Sequence, residues 1–394
     1  MFNAAASRIV LAPYCEETVA ATARSALEEL GGQATIGFVF ASIDYEPHLA
    51  DFQELLTLHA HLPLLVGCSG SGVIGIGQEA ERKTGFSLLL LHLPETEISL
   101  HQISPEMVEE AETPEEWHEA LGVRPEEVDA WIGMVDPFGF PVEGWLQRWN
   151  KAYPGLPVIG GLSSSRKDGE EGESVFVFCN REVLPTAHAL LVRIRGGVRI
   201  VPMVAQGCRP IGEPLTITAA EGNVLLRLGG KAAYSALAEA FETLDEEEKA
   251  MAQGNLFAGL ACSEYLEEFQ RGDFLVRPIL GGDSDSGAIA VGAYPRVGQS
   301  LQWQLRDQQS ADADLKERLA MAKLKSGRPI ASLVFSCAGR GKELFEMENH
   351  DAQAIVRRFG SLPIAGFFCN GEIGPVHGNS FVHGYSASMA FFSD

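Results

Sequence analysis

Three short stretches of this 394-residue chain carry side chain types and spacings that could do chemistry. In the first, Arg340 stands between Gly339 and Gly341. A guanidinium fork can grip a carboxylate with two parallel hydrogen bonds, and flanking glycines leave backbone N–H groups open to the same ligand. The alternative role for Arg340 is a structural ion pair with a neighbouring carboxylate. The second stretch, Asn370-Gly371-Glu372, follows an apolar run, in the kind of loop where function concentrates. Asn370 offers donors and an acceptor, and Glu372 can accept an ammonium group. With Arg340 they supply an acid-binding end and an amine-binding end, the pattern an amino acid requires. A plain turn with positive φ is the competing reading of Asn370-Gly371.

The third stretch is a pair of serine-rich loops, Cys68-Ser69-Gly70-Ser71-Gly72 and Ser163-Ser164-Ser165, whose hydroxyls and amides could bind a small polar ligand. Neither is a phosphate loop, since there is no GxxxxGK[ST] and no correctly spaced GxGxxG opening a helix. Cys68, Cys337 and Cys369 stand at similar strand-end positions of a repeated pattern. A nucleophilic thiol there would need a base, for which His383 is the candidate, and buried small hydrophobes explain the cysteines equally well. Asp283 to Gly287 lacks the length and distal glutamate of a calcium loop. With no complete catalytic constellation, the expectation is a binding protein rather than an enzyme, with no metal site.

These residues need elements to position them, and most of the chain reads as strand-sized apolar runs separated by glycine-rich turns and helical stretches, a sheet-dominated α/β pattern. The pattern repeats. Ile36 to Phe40, a helical stretch, then Leu62-Pro63-Leu64-Leu65-Val66-Gly67-Cys68 is matched by Ile132 to Val135 followed by Leu156-Pro157-Val158-Ile159-Gly160-Gly161. It returns as Leu333 to Cys337 followed by Leu362-Pro363-Ile364-Ala365-Gly366, and more weakly as Leu256 to Leu260 followed by Arg277-Pro278-Ile279-Leu280-Gly281-Gly282. Proline is tolerated where a strand begins, glycine permits close approach where it ends, and a helical crossover makes the two strands parallel. A short turn then favours an antiparallel return. The expected fold is α/β, with two pseudo-repeated halves of mixed β-sheets and crossover helices, built from four related β-α-β-β units. Thr113-Pro114-Glu115-Glu116 and Thr243 with Glu246 predict capped helix starts. The stretch from Ile200 to Leu228 reads as a joint, so the modules are placed at residues 1–230 and 231–394.

Lys and Arg number 30 against 53 Asp and Glu, so the net charge is 30 − 53 = −23, which disfavours nucleic acid and anionic membrane as partners. No apolar run reaches the roughly 18–20 residues of a membrane helix, and the first residues lack the basic start of a signal peptide. The seven cysteines are scattered and never form CxxC, which predicts neither a disulfide framework nor a zinc knuckle. A cytoplasmic location is expected.

The chain resembles the FIST (F-box and intracellular signal transduction) sensory family. The resemblance rests on Val66-Gly67-Cys68-Ser69-Gly70-Ser71-Gly72, Gln206-Gly207-Cys208-Arg209-Pro210-Ile211-Gly212 and Leu305-Arg306-Asp307. It continues through Phe335-Ser336-Cys337-Ala338-Gly339-Arg340-Gly341, Gly366 to Pro375 and Phe381-Val382-His383-Gly384. It implies N-terminal and C-terminal FIST modules that sense a small ligand such as an amino acid. It also implies an output through a separate signalling protein such as a histidine kinase or a cyclic-dinucleotide enzyme, because the two modules account for nearly all the chain. A second implication is a haem-binding nitric-oxide sensor acting on a partner histidine kinase. Haem needs an axial ligand, and His377 and His383 lie nearest the signature loop, with His59, His61 and His188 elsewhere; without CxxCH the haem would be non-covalent.

Overall fold

Runs such as Ile36 to Ala41 are apolar on both alternating faces. In a computed structural model, which describes residues 2–165, 174–263 and 268–394, they form strands buried on both sides. The chain divides into two compact units, Met1–Val204, Lys316–Val382 and Ser386–Asp394 making the first, and Ala205–Leu315 with His383–Tyr385 the second. Residue 230, the boundary read from sequence, lies within the second unit.

The first unit contains three copies of one pattern. The first copy runs β1 (Ala4–Val10), α1 (Glu16–Glu29), β2 (Ile36–Ala41), α2 (Leu49–His59), β3 (Leu65–Ser69), a hairpin of β4 (Gly72–Gly75) and β5 (Gln78–Glu81), and β6 (Phe86–His92). The second runs β7 (Glu97–Ile103), α3 (Pro105–Glu110), α4 (Pro114–Leu121), β8 (Ala130–Val135), α5 (Val142–Ala152), β9 (Val158–Leu162), a hairpin of β10 (Val177–Cys179) and β11 (Glu182–Val183), and β12 (Ala189–Arg195). The third opens with β13 (Arg199–Gln206) and is then interrupted. The interruption holds β14 (Cys208–Glu221), β15 (Val224–Leu228), β16 (Lys231–Ala232), α6 (Ala233–Glu242), α7 (Glu246–Met251), β17 (Leu256–Ala261), β18 (Phe274–Asp283), β19 (Ala288–Val291) and β20 (Ser300–Arg306). The copy resumes with α8 (Gln308–Ser326), β21 (Ala331–Cys337), α9 (Gly341–Phe345), α10 (His350–Phe359), β22 (Ile364–Cys369), a hairpin of β23 (Glu372–Val376) and β24 (Asn379–His383), and β25 (Ser386–Ser393).

In each copy the two strands joined by a crossover are parallel (β2 with β3, β8 with β9, β21 with β22), and the closing strand returns antiparallel beside the first of them. The hairpins, however, leave home. Sheet orders are β1-β6-β2-β3-β10-β11, β24-β23-β9-β8-β12-β7 and β13-β25-β21-β22-β4-β5. The first copy's hairpin therefore completes the third sheet, the third's completes the second, and the second's completes the first. The ladders are in equivalent register, with Val73 opposite Phe367, Glu372 opposite Gly161 and Val177 opposite Cys68.

One glycine per copy makes the parallel pairing possible. Gly67, Gly160 and Gly366 stand opposite Val39, Gly133 and Val334. A Cβ at these glycines would lie 2.2, 1.9 and 2.0 Å from the carbonyl oxygens of those same residues. Only a residue without a side chain lets the backbones come this close. One face of all three sheets meets in a shared core that includes Phe38, Val66, Ile132, Ile159, Leu333 and Phe367. The outer faces of the first two sheets carry separate cores beneath their helices, around Phe52 and Leu88 in the first and Trp131, Trp145 and Trp149 in the second.

The mixed-sheet α/β architecture stands, with three copies of the unit rather than four. In the weaker fourth segment, β17 and β18 pair antiparallel inside the second unit's sheet, β14-β20-β17-β18-β19-β15-β16. Helix starts follow the same local logic. Thr113 Oγ1 accepts from Glu116 N–H while the Glu116 carboxylate accepts from Thr113 N–H. At α7 it is Asp245 with Glu248, not Thr243 with Glu246, that closes the capping box. Among the described residues no helix is long and apolar enough to cross a membrane.

Candidate functional site

The parallel strands end in loops that meet across the copies of the first unit. Ser71 N–H donates to Phe368 O at 3.4 Å, Asn370 N–H to Leu162 O at 3.0 Å and Ser164 N–H to Ser69 O at 3.2 Å. These are equivalent residues of the three copies, linked in the same cyclic sense as the exchanged hairpins. The serines expected to face a ligand serve this junction instead. Ser164 Oγ donates to Phe368 O and accepts from Ser71 N–H at 2.8 Å. Ser71 Oγ reaches the same Phe368 carbonyl at 3.4 Å, Ser163 Oγ donates to Val135 O at 2.9 Å, and Ser69 Oγ accepts from Phe176 N–H at 3.1 Å. Free backbone groups at strand ends must find partners once buried, and these hydroxyls supply them.

The register also corrects the view of the cysteines. Cys68 follows Gly67 as Gly161 follows Gly160 and Phe367 follows Gly366, whereas Cys337 and Cys369 belong to one copy and stand opposite each other on β21 and β22. Cys68 and Cys369 are buried, and burial raises both thiol pKa values well above the ordinary range. That makes them poor nucleophiles. Cys337 is partly exposed.

Around the third copy's strand ends the chemistry is different. β21 runs into a turn in which Arg340 N–H donates to Cys337 O at 2.8 Å, and α9 begins at the next residue. Arg340 is fully buried. Its Nε and Nη2 donate to Asp351 Oδ2 and Oδ1 at 2.9 and 3.1 Å, so the ion-pair alternative is realised, with Asp351 in the first turn of α10. His350 Nδ1 lies 2.8 Å from Asp351 Oδ1, Ser336 Oγ donates to Oδ2 at 3.3 Å, and the His350 ring stacks on Phe345 at 3.4 Å. Burial alone would raise the Asp351 pKa, but Arg340 and His350 hold it far below the usual carboxylate range. Glu79 joins from the exchanged hairpin, accepting from Ala352 N–H at 2.7 Å; burial and the nearby Asp351 push it up to about 8.

Glu372 is also fully buried, and burial pushes it to about 8 against the opposing pull of Ser386, Arg340 and, most weakly, Cys337. Ser386 donates to Oε2 through its hydroxyl at 2.7 Å and its N–H at 3.2 Å. Among the described residues, two polar atoms of this cluster have no hydrogen-bond partner, Arg340 Nη1 and Glu372 Oε1. A buried donor and a buried acceptor left unsatisfied each cost about 1–3 kcal/mol.

Of the residues picked out from sequence, the structure gathers Arg340, Glu372 and Cys337 into this cluster, with Cys369 electrostatically coupled to it. Asn370 contributes its backbone to the junction, and its side chain is exposed. His377 is exposed on the β23–β24 turn at φ 49°, and His383 is buried in the second unit. Asp351, His350, Glu79 and Ser386 were not singled out from sequence. Asp351 had a usable signal, a carboxylate at a helix start shortly after Arg340, whereas Glu79 and Ser386 reach the cluster only through long-range pairing.

Two family models match consecutive segments, the FIST N domain over residues 35–231 and the FIST C domain over residues 233–375. An uncharacterised protein of Mycobacterium tuberculosis is 33% identical over 393 residues, covering 97% of this chain and 98% of its own. One of Mycobacterium bovis is 38% identical over 268 residues, 68% of each chain. A crystal structure of cyanuric acid hydrolase from A. caulinodans covers 100% of this chain and 99% of its own with a TM-score of 0.39 and 10% identity. With both modules present and a relative aligned along almost the entire length, the chain belongs to the FIST family, whose domains are sensory modules of signal transduction.

Proposed function

We propose that the third copy's cluster is the sensing site, binding a small polar ligand of the amino-acid type and reporting its presence to a signalling protein such as a histidine kinase or a cyclic-dinucleotide enzyme. The observation that carries this reading is the pair of buried, unpartnered atoms Arg340 Nη1 and Glu372 Oε1. A ligand carboxylate satisfies the first and a ligand ammonium the second. Asp351 already neutralises Arg340, so the guanidinium offers its remaining N–H donors without a large net charge.

Sensing requires that the ligand prefer one arrangement of the protein over another; about 1–3 kcal/mol of such preference makes a useful signal. Isothermal titration against the common amino acids and related zwitterions tests the site. At least one ligand should bind the wild type and lose about tenfold or more in affinity in Glu372→Gln. Binding should tighten as pH rises from 6 to 8, because Glu372, at about 8 in the free protein, must give up its proton to receive an ammonium. No ligand across the set, or equal affinity in wild type and Glu372→Gln, would refute the site.

A further inference from the structure

The second unit has a cavity of its own, about 670 Å³, that no residue of the Arg340 cluster lines. Phe241, Phe257 and Tyr385 present aromatic rings to it, with Leu237, Leu256 and Ile279 among the aliphatic walls. Its volume falls within the range of roughly 300–1,000 Å³ typical of small-molecule sites, and mostly apolar walls with a few polar groups are their usual make-up. Among the described residues, Lys249 is the one charged side chain lining it. Its ammonium is held by Glu242 at 2.9 Å and Glu246 at 3.6 Å, 5.9 Å from the centre of the Phe241 ring.

A second, independent observation concerns the backbone. Tyr385 adopts φ 58°, a left-handed conformation costly for a bulky side chain. Strain of this kind persists where surrounding contacts impose it, and it gathers at ligand sites. The contacts include the Phe257 ring, with centroids 4.4 Å apart, and the Arg306 guanidinium 5.4 Å from the Tyr385 ring centre. The outcome is an aromatic wall held in place inside the cavity.

We infer that this cavity is a second binding site, for a planar aromatic molecule bearing a neutral hydrogen-bond acceptor such as a phenolic or carbonyl oxygen. Flat rings pack against the three aromatic walls in offset or edge-on geometry. The acceptor oxygen meets Lys249, which has only donors to give. Because two glutamates already share the Lys249 charge, the ammonium favours a neutral oxygen over a polyanion. The inference stands apart from the proposed sensing site, and either can fail alone.

Ligand-observed NMR and isothermal titration with 2-naphthol, using the full chain, test it. Saturable binding is expected, lost in Leu237→Trp, which fills the cavity from α6, and weakened about tenfold in Lys249→Met, where the side chain is partly exposed and its loss leaves the apolar walls intact. The ammonium analogue 2-naphthylmethylamine should bind more weakly than 2-naphthol. Absence of saturable binding, equal binding by wild type and both variants, or binding of the amine as tight as that of 2-naphthol would overturn the assignment.

Discussion

Where the exchanged hairpins begin, the first two copies carry Val73 and Val177 and the third carries Glu372, all three in the same register against a receiving sheet. The valines are buried hydrophobes of the kind a strand buried on both faces wants. Glu372 is buried just as deeply and is surrounded by Ser386, Arg340 and Cys337. The two valines show what the scaffold needs at this position, so the glutamate is not a scaffold requirement. Departure from the internal repeat thus marks Glu372 as a residue the scaffold does not require, whereas Gly67, Gly160 and Gly366 recur at the same place in all three copies.

The sharpest way to break the comparison is to unbalance the third copy. Arg340→Ala leaves Asp351 charged and buried without its partner, and should cost about 3–5 kcal/mol in a denaturant titration. Next comes a paired change at this position in two copies. Val73→Glu puts a carboxyl where no serine and arginine wait for it, and should cost about 3 kcal/mol; Glu372→Gln, which keeps an oxygen acceptor for the Ser386 hydroxyl and N–H, should leave stability within about 1 kcal/mol of wild type while weakening ligand binding about tenfold. Equal costs for the two substitutions would remove the contrast between copies.

Gly67→Ala, Gly160→Ala and Gly366→Ala should each destabilise by about 2 kcal/mol, and by similar amounts, because each added Cβ meets a backbone carbonyl at the same place in its copy. The pH dependence probes the same buried carboxyls without a change of shape. Glu79 and Glu372 have pKa values near 8 in the folded protein against an ordinary 4.5, so the folded state binds more protons than the unfolded one between those values. Stability should therefore fall as pH rises from about 4.5 to about 8, and the slope should flatten in Glu372→Gln. Asp351 acts in the opposite sense and loses its contribution only in strong acid.

Much of the copy structure was legible in the sequence, because strand, crossover helix and glycine-ended strand are local patterns with local causes. The fourth segment imitated them with Arg277-Pro278-Ile279-Leu280-Gly281-Gly282, yet only residues 262–273 separate its strands, against 42–64, 136–157 and 338–363 in the true copies. That span sits at the lower limit of about a dozen residues for a parallel crossover, and the segment folds back antiparallel instead. Arg340 and Glu372 could be picked out by type and neighbours. That Glu79 would approach Asp351, or that Ser386 would hold Glu372, depends on strand pairings spanning most of the chain, for which no short stretch carries a signal. The serines misled because a hydroxyl beside a glycine looks the same in sequence whether it awaits a ligand or closes a backbone junction.

The exchange of hairpins also sets the order in which the molecule can be made. Gly72–Gly75, near the start of the chain, has its ladder partner in Ile364–Cys369, near its end. No copy can finish its own sheet, so the first unit has no independently complete third and cannot be assembled piecemeal as synthesis proceeds. The β4–β5 hairpin is synthesised long before β22, so the β4 edge that joins the third sheet stays open until then, and contacts of such long sequence separation slow folding.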